Sequence, residues 1–398
     1  MPNLINEQIH SSVMPTYNRF PITLKKGKGS YVWDQEDQSF LDYTSGIATC
    51  NLGHVPPTVK SALEGQLNEL WHCSNLYTIP SQEMLAKELT DHTIFDQVFF
   101  CNSGAEANEA AIKLARRYAQ EIKQTNKYEV VTFNQSFHGR TLATLAATGQ
   151  AKIQSGFQPL MPGFRYLPYN DKEALKDLVR PETCAVLLEL VQGEGGVIPA
   201  DFSWVQELVR LCKENNVLVM IDEIQTGIGR TGSLFAYEKY QIEPDVISVA
   251  KGLGSGFPIG AVLAKDYVAK AFQPGSHGST FGGNPLATTA GLATIQTMMN
   301  TELLTELEAK IAYLWAGLED LANQSSEILQ LRGRGFLIGI EVKGKAIDYV
   351  NKARDEHQLL LLAAGESVIR ILPPLITTKL EMDLALNKLA AIFVQATS

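Results

Sequence analysis

Five apolar residues, Val217-Leu-Val-Met-Ile221, run without interruption into a carboxylate, Asp222. A run of that length without polar alternation suits a strand buried on both faces, because a half-exposed strand alternates apolar with polar residues. Gln97–Cys101, Tyr128–Phe133, Cys184–Val191 and Asp245–Ala250 read as further short apolar strands. Helical patterns lie between them. From Ala105 to Ile122, Ala107, Ala111, Leu114, Ala115 and Tyr118 fall on one face of a 3.6-residue period. From Trp204 to Asn215, Trp204, Leu208, Leu211 and Cys212 do the same. Buried strands alternating with helices predict an α/β fold whose mainly parallel sheet is covered on both faces.

The flanks have a different texture. Short strands are expected at Ile22–Lys25, Tyr31–Asp34 and Phe40–Tyr43, then a helix from Pro56 to Leu70. Past Asn300 the pattern is helix Glu302–Leu321, strands Phe336–Val342 and Val368–Leu372, and a final helix Glu381–Gln395, which predicts a smaller α/β domain. At 398 residues the chain is too long for one small module. The expected division is residues 1–50 packing with the small domain, 51–295 as the large domain and 296–398 as the small one, with a helix near Ala287–Asn300 bridging the boundary.

Composition excludes several function classes. Lys and Arg number 34 against 43 Asp and Glu, a net charge of −9, which disfavours nucleic acid and anionic lipid as partners. Cys50, Cys73, Cys101, Cys184 and Cys212 are odd in number and contain no CxxC pair, and the histidines show no HxH or HExxH spacing. A disulfide framework or metal site is therefore not expected. No apolar run approaches the roughly 18–20 residues that span a bilayer. Met1 to Met14 lacks the charge-then-apolar order of a secretory signal, so a cytoplasmic location is expected.

Three constellations carry chemistry. In Cys101-Asn-Ser-Gly-Ala-Glu106 a strand ends and a helix begins, with Ser103 and Glu106 at capping-box spacing. Such a terminus is an ordinary capped helix or, through its free N–H groups and Gly104, a phosphate seat. Asp222 ends a buried strand at the edge where open α/β sheets bind ligands. Lys251 ends another apolar strand and is followed by Gly252, Gly254 and Gly256. An amine among apolar neighbours has a lowered pKa and can act as a Schiff-base nucleophile. An imine lysine, a carboxylate for a pyridinium nitrogen and a phosphate seat on one sheet edge are the groups pyridoxal phosphate requires. Two loops add to this set. Ser136-Phe-His-Gly-Arg140 brings a ring and a guanidinium suited to a carboxylate, although Phe137 and His138 also fit as core residues. Ser276-His-Gly-Ser-Thr-Phe-Gly-Gly-Asn-Pro285 can hold phosphate or simply turn.

Together with Tyr17-Asn-Arg-Phe-Pro21, Asn51-Leu-Gly-His54, Asp222-Glu-Ile-Gln-Thr-Gly227 and Lys251-Gly-Leu-Gly254, these segments resemble the class III pyridoxal-phosphate aminotransferases of fold type I. Within that family they look most like the subgroup acting on acetylornithine. The resemblance implies that Lys251 carries the imine to the cofactor and then shuttles the proton. It implies that Asp222 pairs with the pyridine nitrogen and that Gln225 lies near the ring hydroxyl. Ser103, Gly104 and Ala105 would cradle the phosphate, Phe137 would stack on the ring, and Thr280 would reach the phosphate across a homodimer with shared sites. Arg140 would hold a substrate carboxylate, Glu194 and Arg370 would form a switch admitting two unlike substrates, and Tyr17 and Ser279 would complete the substrate set. Cys50 and Ile224 depart from the usual family residues without touching that chemistry.

The implied reaction moves the δ-amino group of N2-acetylornithine to 2-oxoglutarate, a step of arginine biosynthesis. Ornithine, 4-aminobutyrate and succinyldiaminopimelate are rival donors, and an aminomutase could use the same lysine. A non-catalytic small-anion binder is the reading from a different class. It would use the doubly wound sheet alone; a third reading, a structural partner-binding protein, leaves the placements of Lys251 and Asp222 unexplained.

Overall fold

The structure is a computed structural model that describes residues 12–393. Seven strands form the central sheet, in the order Gln97–Cys101, Gly260–Ala264, Val246–Val249, Leu218–Asp222, Thr183–Leu188, Glu129–Phe133 and Phe164–Leu167. Gly260–Ala264 runs antiparallel to both of its neighbours, and the other pairings are parallel. The α/β class and mainly parallel sheet expected from the apolar runs are therefore present.

Both faces of the sheet are covered. Along Leu218–Asp222 successive side chains enter different cores, Val219 and Ile221 one and Leu218 and Met220 the other, as the two-residue period of a strand requires. Each such side chain contributes about 1.5–3 kcal/mol by leaving water. Trp204, Leu208 and Cys212 of helix Phe202–Glu214 close the first face. Ala107, Ala111, Leu114 and Ala115 of helix Gly104–Arg117 close the second. Small residues on that helix allow close approach to the strands beneath it.

Two expected elements end differently. The helix read as reaching Ile122 is α-helical to Arg117 and finishes in a π turn, Tyr118–Ile122. The strand read as Cys184–Val191 stops at Leu188, and Val191–Gln192 leaves the sheet to pair with Ile198–Pro199. The break falls at Glu189, whose carboxylate accepts the backbone N–H of Phe137 at 2.9 Å and of Gly193 at 3.3 Å. Residues 189–193 curl around that buried charge instead of continuing the ladder.

A second, antiparallel sheet joins Ile328–Arg334, Leu337–Val342, Val368–Ile371 and Leu362–Ala363. In a third, Leu24–Lys28, Tyr31–Asp34 and Ser39–Asp42 are extended by Leu359–Leu360, so the first strands pair with the last quarter of the chain. Most of Met1 to Met14, and the end of the final helix at Gln395, lie outside the described residues. Among the described residues no helix is long and apolar enough to cross a membrane.

Candidate active site

The parallel strands deliver their functional residues to one carboxyl edge. Asp222 pairs with Ser248 across neighbouring strands, which puts Lys251 a few residues beyond it on the same side. A cavity of about 410 Å³ opens there, and Ser103, Gly104, Ala105, Phe137, Arg140, Asp222, Gln225 and Lys251 all line it. Eight residues expected at a site therefore meet in one place. Tyr17 is 78% exposed and does not line this cavity. Ser279 and Thr280 also lie elsewhere, in a second depression of about 440 Å³ with Cys101, Asn102 and Glu106.

Asp222 is the most firmly held group of the site. One carboxylate oxygen, Oδ2, accepts His138 Nδ1 and Asn108 Nδ2, each at 2.8 Å. The other, Oδ1, accepts the backbone N–H of Ile224 at 3.0 Å. A carboxylate has about four acceptor positions, so one remains on Oδ1 for a donor in the cavity. Asn108 is fixed in turn, donating to the carbonyl of His138 at 2.8 Å and accepting Ser248 Oγ at 2.5 Å. His138 Nε2 is buried without a hydrogen-bond partner among the described residues.

Lys251 has a left-handed backbone with φ of 43°. That conformation costs a non-glycine residue roughly 1–3 kcal/mol and occurs where function demands it. Burial pushes its amine below the usual lysine range, partly offset by the nearby Glu194 carboxylate. Its neutral, nucleophilic form is correspondingly more accessible.

Helix Gly104–Arg117 is capped by Ser103, whose Oγ accepts the Glu106 N–H at 3.2 Å. Glu106 reaches one residue further back than a capping box requires and accepts the Asn102 N–H at 2.6 Å. A Cβ on Gly104 would stand 2.9 Å from Ile224, so only glycine leaves the helix N-terminus open beside that side chain. Arg140 lies 5.7 Å from the Phe137 ring centroid, and no carboxylate among the described residues pairs with it.

Glu194 and Arg370 do not line this cavity themselves; Arg370 comes from the second sheet and stands behind the lining residue Gln225. Its Nη1 donates to Glu194 Oε1 at 2.6 Å, to the Gly193 carbonyl at 3.0 Å and to Gln225 Oε1 at 3.1 Å. Burial would raise the Glu194 carboxyl, but the Arg370 charge and hydrogen bond outweigh it and hold the group below the usual range. The pair is therefore ionised at neutral pH. Glu189 behaves in the opposite way, because burial pushes its carboxyl up to about 7.

Asn108, Glu189 and Ser248 carry no role in the sequence reading, and His138 appears there as a satisfied core histidine. A polar residue among the alanines of a buried helix face was the available signal for Asn108.

The arrangement fits pyridoxal phosphate. Asp222 has an anchored carboxylate with a spare acceptor position, Lys251 faces the same cavity, and an open capped helix terminus lines its wall. The family model described as Aminotransferase class-III matches residues 12–393, and the chain belongs to that family of pyridoxal-phosphate-dependent enzymes. Over 388 residues it is 56% identical to the acetylornithine aminotransferase of Oceanobacillus iheyensis, covering 98% of this chain and 97% of the relative. The ornithine aminotransferase of Toxoplasma gondii ME49 superposes with a TM-score of 0.92 at 32% identity, covering 96% of this chain and 92% of that one. The N-acetylornithine aminotransferase of Stenotrophomonas maltophilia K279a does so at 0.82 and 35% identity, covering 94% and 96%. The chain is thus an aminotransferase, and the reading as a non-catalytic anion binder falls away.

Proposed function

We propose that this chain binds pyridoxal 5′-phosphate and transfers the δ-amino group of N2-acetylornithine to 2-oxoglutarate. The products are N-acetylglutamate 5-semialdehyde and glutamate, as arginine biosynthesis needs. The observation that carries this reading is a pair of unlike arginines, Arg140 unpaired on the cavity lining and Arg370 bound to Glu194 directly behind the lining residue Gln225. When bound, the cofactor supplies an electron sink for the carbanion formed at the reacting carbon.

The residues of the chain do the rest. Lys251 Nζ accepts and returns the proton at that carbon. Asp222 would hold a proton on the ring nitrogen through its spare Oδ1 position, and His138 and Asn108 keep the carboxylate from turning away. Ser103, Gly104 and Ala105 would offer N–H groups to the phosphate, Phe137 would stack on the ring, and Gln225 would meet the ring hydroxyl.

N2-acetylornithine enters by its side-chain amine, so its α-carboxylate lies at the far end, where Arg140 takes it. 2-Oxoglutarate places a carboxylate beside the reacting carbon and a second one distally. Arg140 takes the distal group, and Arg370 takes the near one once Glu194 releases it. Tyr17 and Ser279 complete the substrate contacts.

Thr280 of the partner subunit adds a phosphate contact, which requires a homodimer. Support comes from exposed apolar residues: Phe281 lines the depression, Trp71, Leu76 and Tyr77 neighbour His72 and Asn75, which touch Phe281 and Ser279, and all four are at least 60% exposed. A fully active monomer in sedimentation would contradict the shared site. We also propose the division into residues 1–50, 51–295 and 296–398, of which 1–11 and 394–398 lie outside the described residues. The cytoplasm suits a chain whose five cysteines are all free.

The test is a donor panel on the cofactor-loaded enzyme with 2-oxoglutarate. N2-acetylornithine should give the highest kcat/KM, and a clear preference for ornithine, 4-aminobutyrate or succinyldiaminopimelate would overturn the assignment.

A further inference from the structure

An exposed arginine without a paired carboxylate, such as Arg140, aims at a substrate only if its backbone is held. Helix Gly104–Arg117 holds it with residues of one face. Ala105, Asn108 and Glu109 stand at i, i+3 and i+4, the spacing that puts side chains on the same side of a helix. Asn108 Nδ2 donates to the carbonyl of His138 at 2.8 Å. A Cβ on Gly139 would stand 2.9 Å from the Ala105 Cβ and 2.6 Å from Thr144 Oγ1, and the φ of 136° there favours glycine. These contacts fix the chain just before Arg140.

Glu109 fixes it just after. The short helix Leu142–Ala147 begins two residues beyond Arg140, and the first N–H groups of a helix have no partners within it. Glu109 Oε1 accepts the N–H of Ala143 at 3.1 Å, the N–H of Thr144 at 3.4 Å and the Thr141 hydroxyl at 2.5 Å. A carboxylate from one helix thus caps the next. Its charge suits the place, because a helix N-terminus carries partial positive charge. Thr141 also donates its own N–H to Thr144 Oγ1 at 3.0 Å. Arg140 therefore sits between two anchored points, both tied to the helix whose N-terminus lines the cavity as the phosphate seat.

We propose that Glu109 is a positioning residue that sets the Arg140 guanidinium relative to the phosphate seat, and thereby the affinity for substrates with a distal carboxylate. The proposal rests on the reading of Arg140 as the group that takes that carboxylate in both N2-acetylornithine and 2-oxoglutarate. Glu109 touches neither substrate nor cofactor in this role. Arg140 binds the distal carboxylate alike before and during the reaction, so losing its aim weakens binding and leaves the saturated rate almost intact.

The test follows both half-reactions of the cofactor-loaded enzyme by stopped flow over a range of substrate concentrations. Glu109→Ala should raise the half-saturating concentration of each substrate about tenfold, the scale set by a hydrogen bond to a charged group. The saturating rate and the cofactor affinity should stay within about twofold of the parent. Glu109→Gln keeps an acceptor oxygen and should recover most of the loss. Arg140→Ala should raise both half-saturating concentrations by itself, and adding Glu109→Ala to it should change them no further. Should Glu109→Ala fail to fold, Thr141→Val removes the hydroxyl donor and should show the same selective rise, about threefold. A saturating rate that falls as much as the half-saturating concentration rises, or a full loss persisting in the Arg140→Ala background, would make Glu109 a general support and overturn the proposal. Unchanged binding in Glu109→Ala while Arg140→Ala is impaired would overturn the proposal alone. Normal binding of both substrates by Arg140→Ala would overturn the reading of Arg140 and the proposal with it.

Discussion

Arg370 and Glu194 meet at 2.6 Å behind Gln225 of the Lys251 cavity, with the arginine side chain 2% exposed and the glutamate 32%. A buried cation needs a partner. Glu194 supplies one that faces a more open environment, so it is the member of the pair that can move. Removing it leaves Arg370 free for a carboxylate next to the reacting carbon, the position an α-amino acid occupies. Glu194→Ala should therefore raise kcat/KM for ordinary α-amino donors relative to ω-amino donors by about tenfold or more, given the strength of a charge-assisted hydrogen bond. A donor panel on the mutant checks this, and an unchanged preference would place the switch elsewhere.

Lys251 is the group whose loss should be most severe. Lys251→Ala should lower turnover by at least about 10²–10⁴-fold, the range for removal of a positioned acid–base group. The protein should still fold and retain cofactor through the remaining contacts. Borohydride reduction followed by peptide mapping should label Lys251 in the parent enzyme, and a label on another lysine would refute the assignment.

Asn108 touches Asp222 directly and should matter through it. Asn108→Ala removes a hydrogen bond to a buried carboxylate, worth about 1.5–3 kcal/mol, so kcat should fall roughly 10–100-fold with a smaller change in KM. Restored activity in Asn108→Asp would contradict a positioning role, because a second carboxylate cannot donate to Asp222 when ionised.

These residues show what can and cannot be read from sequence. Asp222 and Lys251 are legible because each follows an apolar run, and parallel strands bring such endpoints to one edge. Ser103 and Gly104 are legible from capping spacing. Asn108, Glu189 and Ser248 are not, because their importance lies in contacts between distant segments, such as Asn108 with Asp222 and Ser248. The same reason hides the pairing of Leu359–Leu360 with Leu41–Asp42. Gly260–Ala264 is an apolar run like the other strands, but its antiparallel course depends on its neighbours, so no local pattern marks its direction.

Glu223 makes a pH prediction independent of catalysis. Its carboxylate accepts the Tyr237 N–H at 2.8 Å and the Thr226 hydroxyl, yet burial pushes it from 4.5 up to about 7. Between those values the folded chain keeps a proton that the unfolded chain releases. Stability is therefore greatest below the lower value and declines as pH rises through the upper one. Glu223→Gln presents one donor and one acceptor at every pH and removes this contribution. Thermal denaturation should show the mutant gaining about 2 °C or more on the parent at about pH 8.5 compared with about pH 5.5. A constant difference between the two proteins would mean that Glu223 is ionised throughout.

The central claim is that two arginines divide two unlike substrates between them at one cavity. Stopped-flow measurement of both half-reactions in Arg370→Ala tests it most directly. The account predicts a large loss in the 2-oxoglutarate half-reaction, about tenfold or more beyond any loss with N2-acetylornithine, since only the oxo acid needs a second cation near the reacting carbon. Equal losses in the two half-reactions would contradict it.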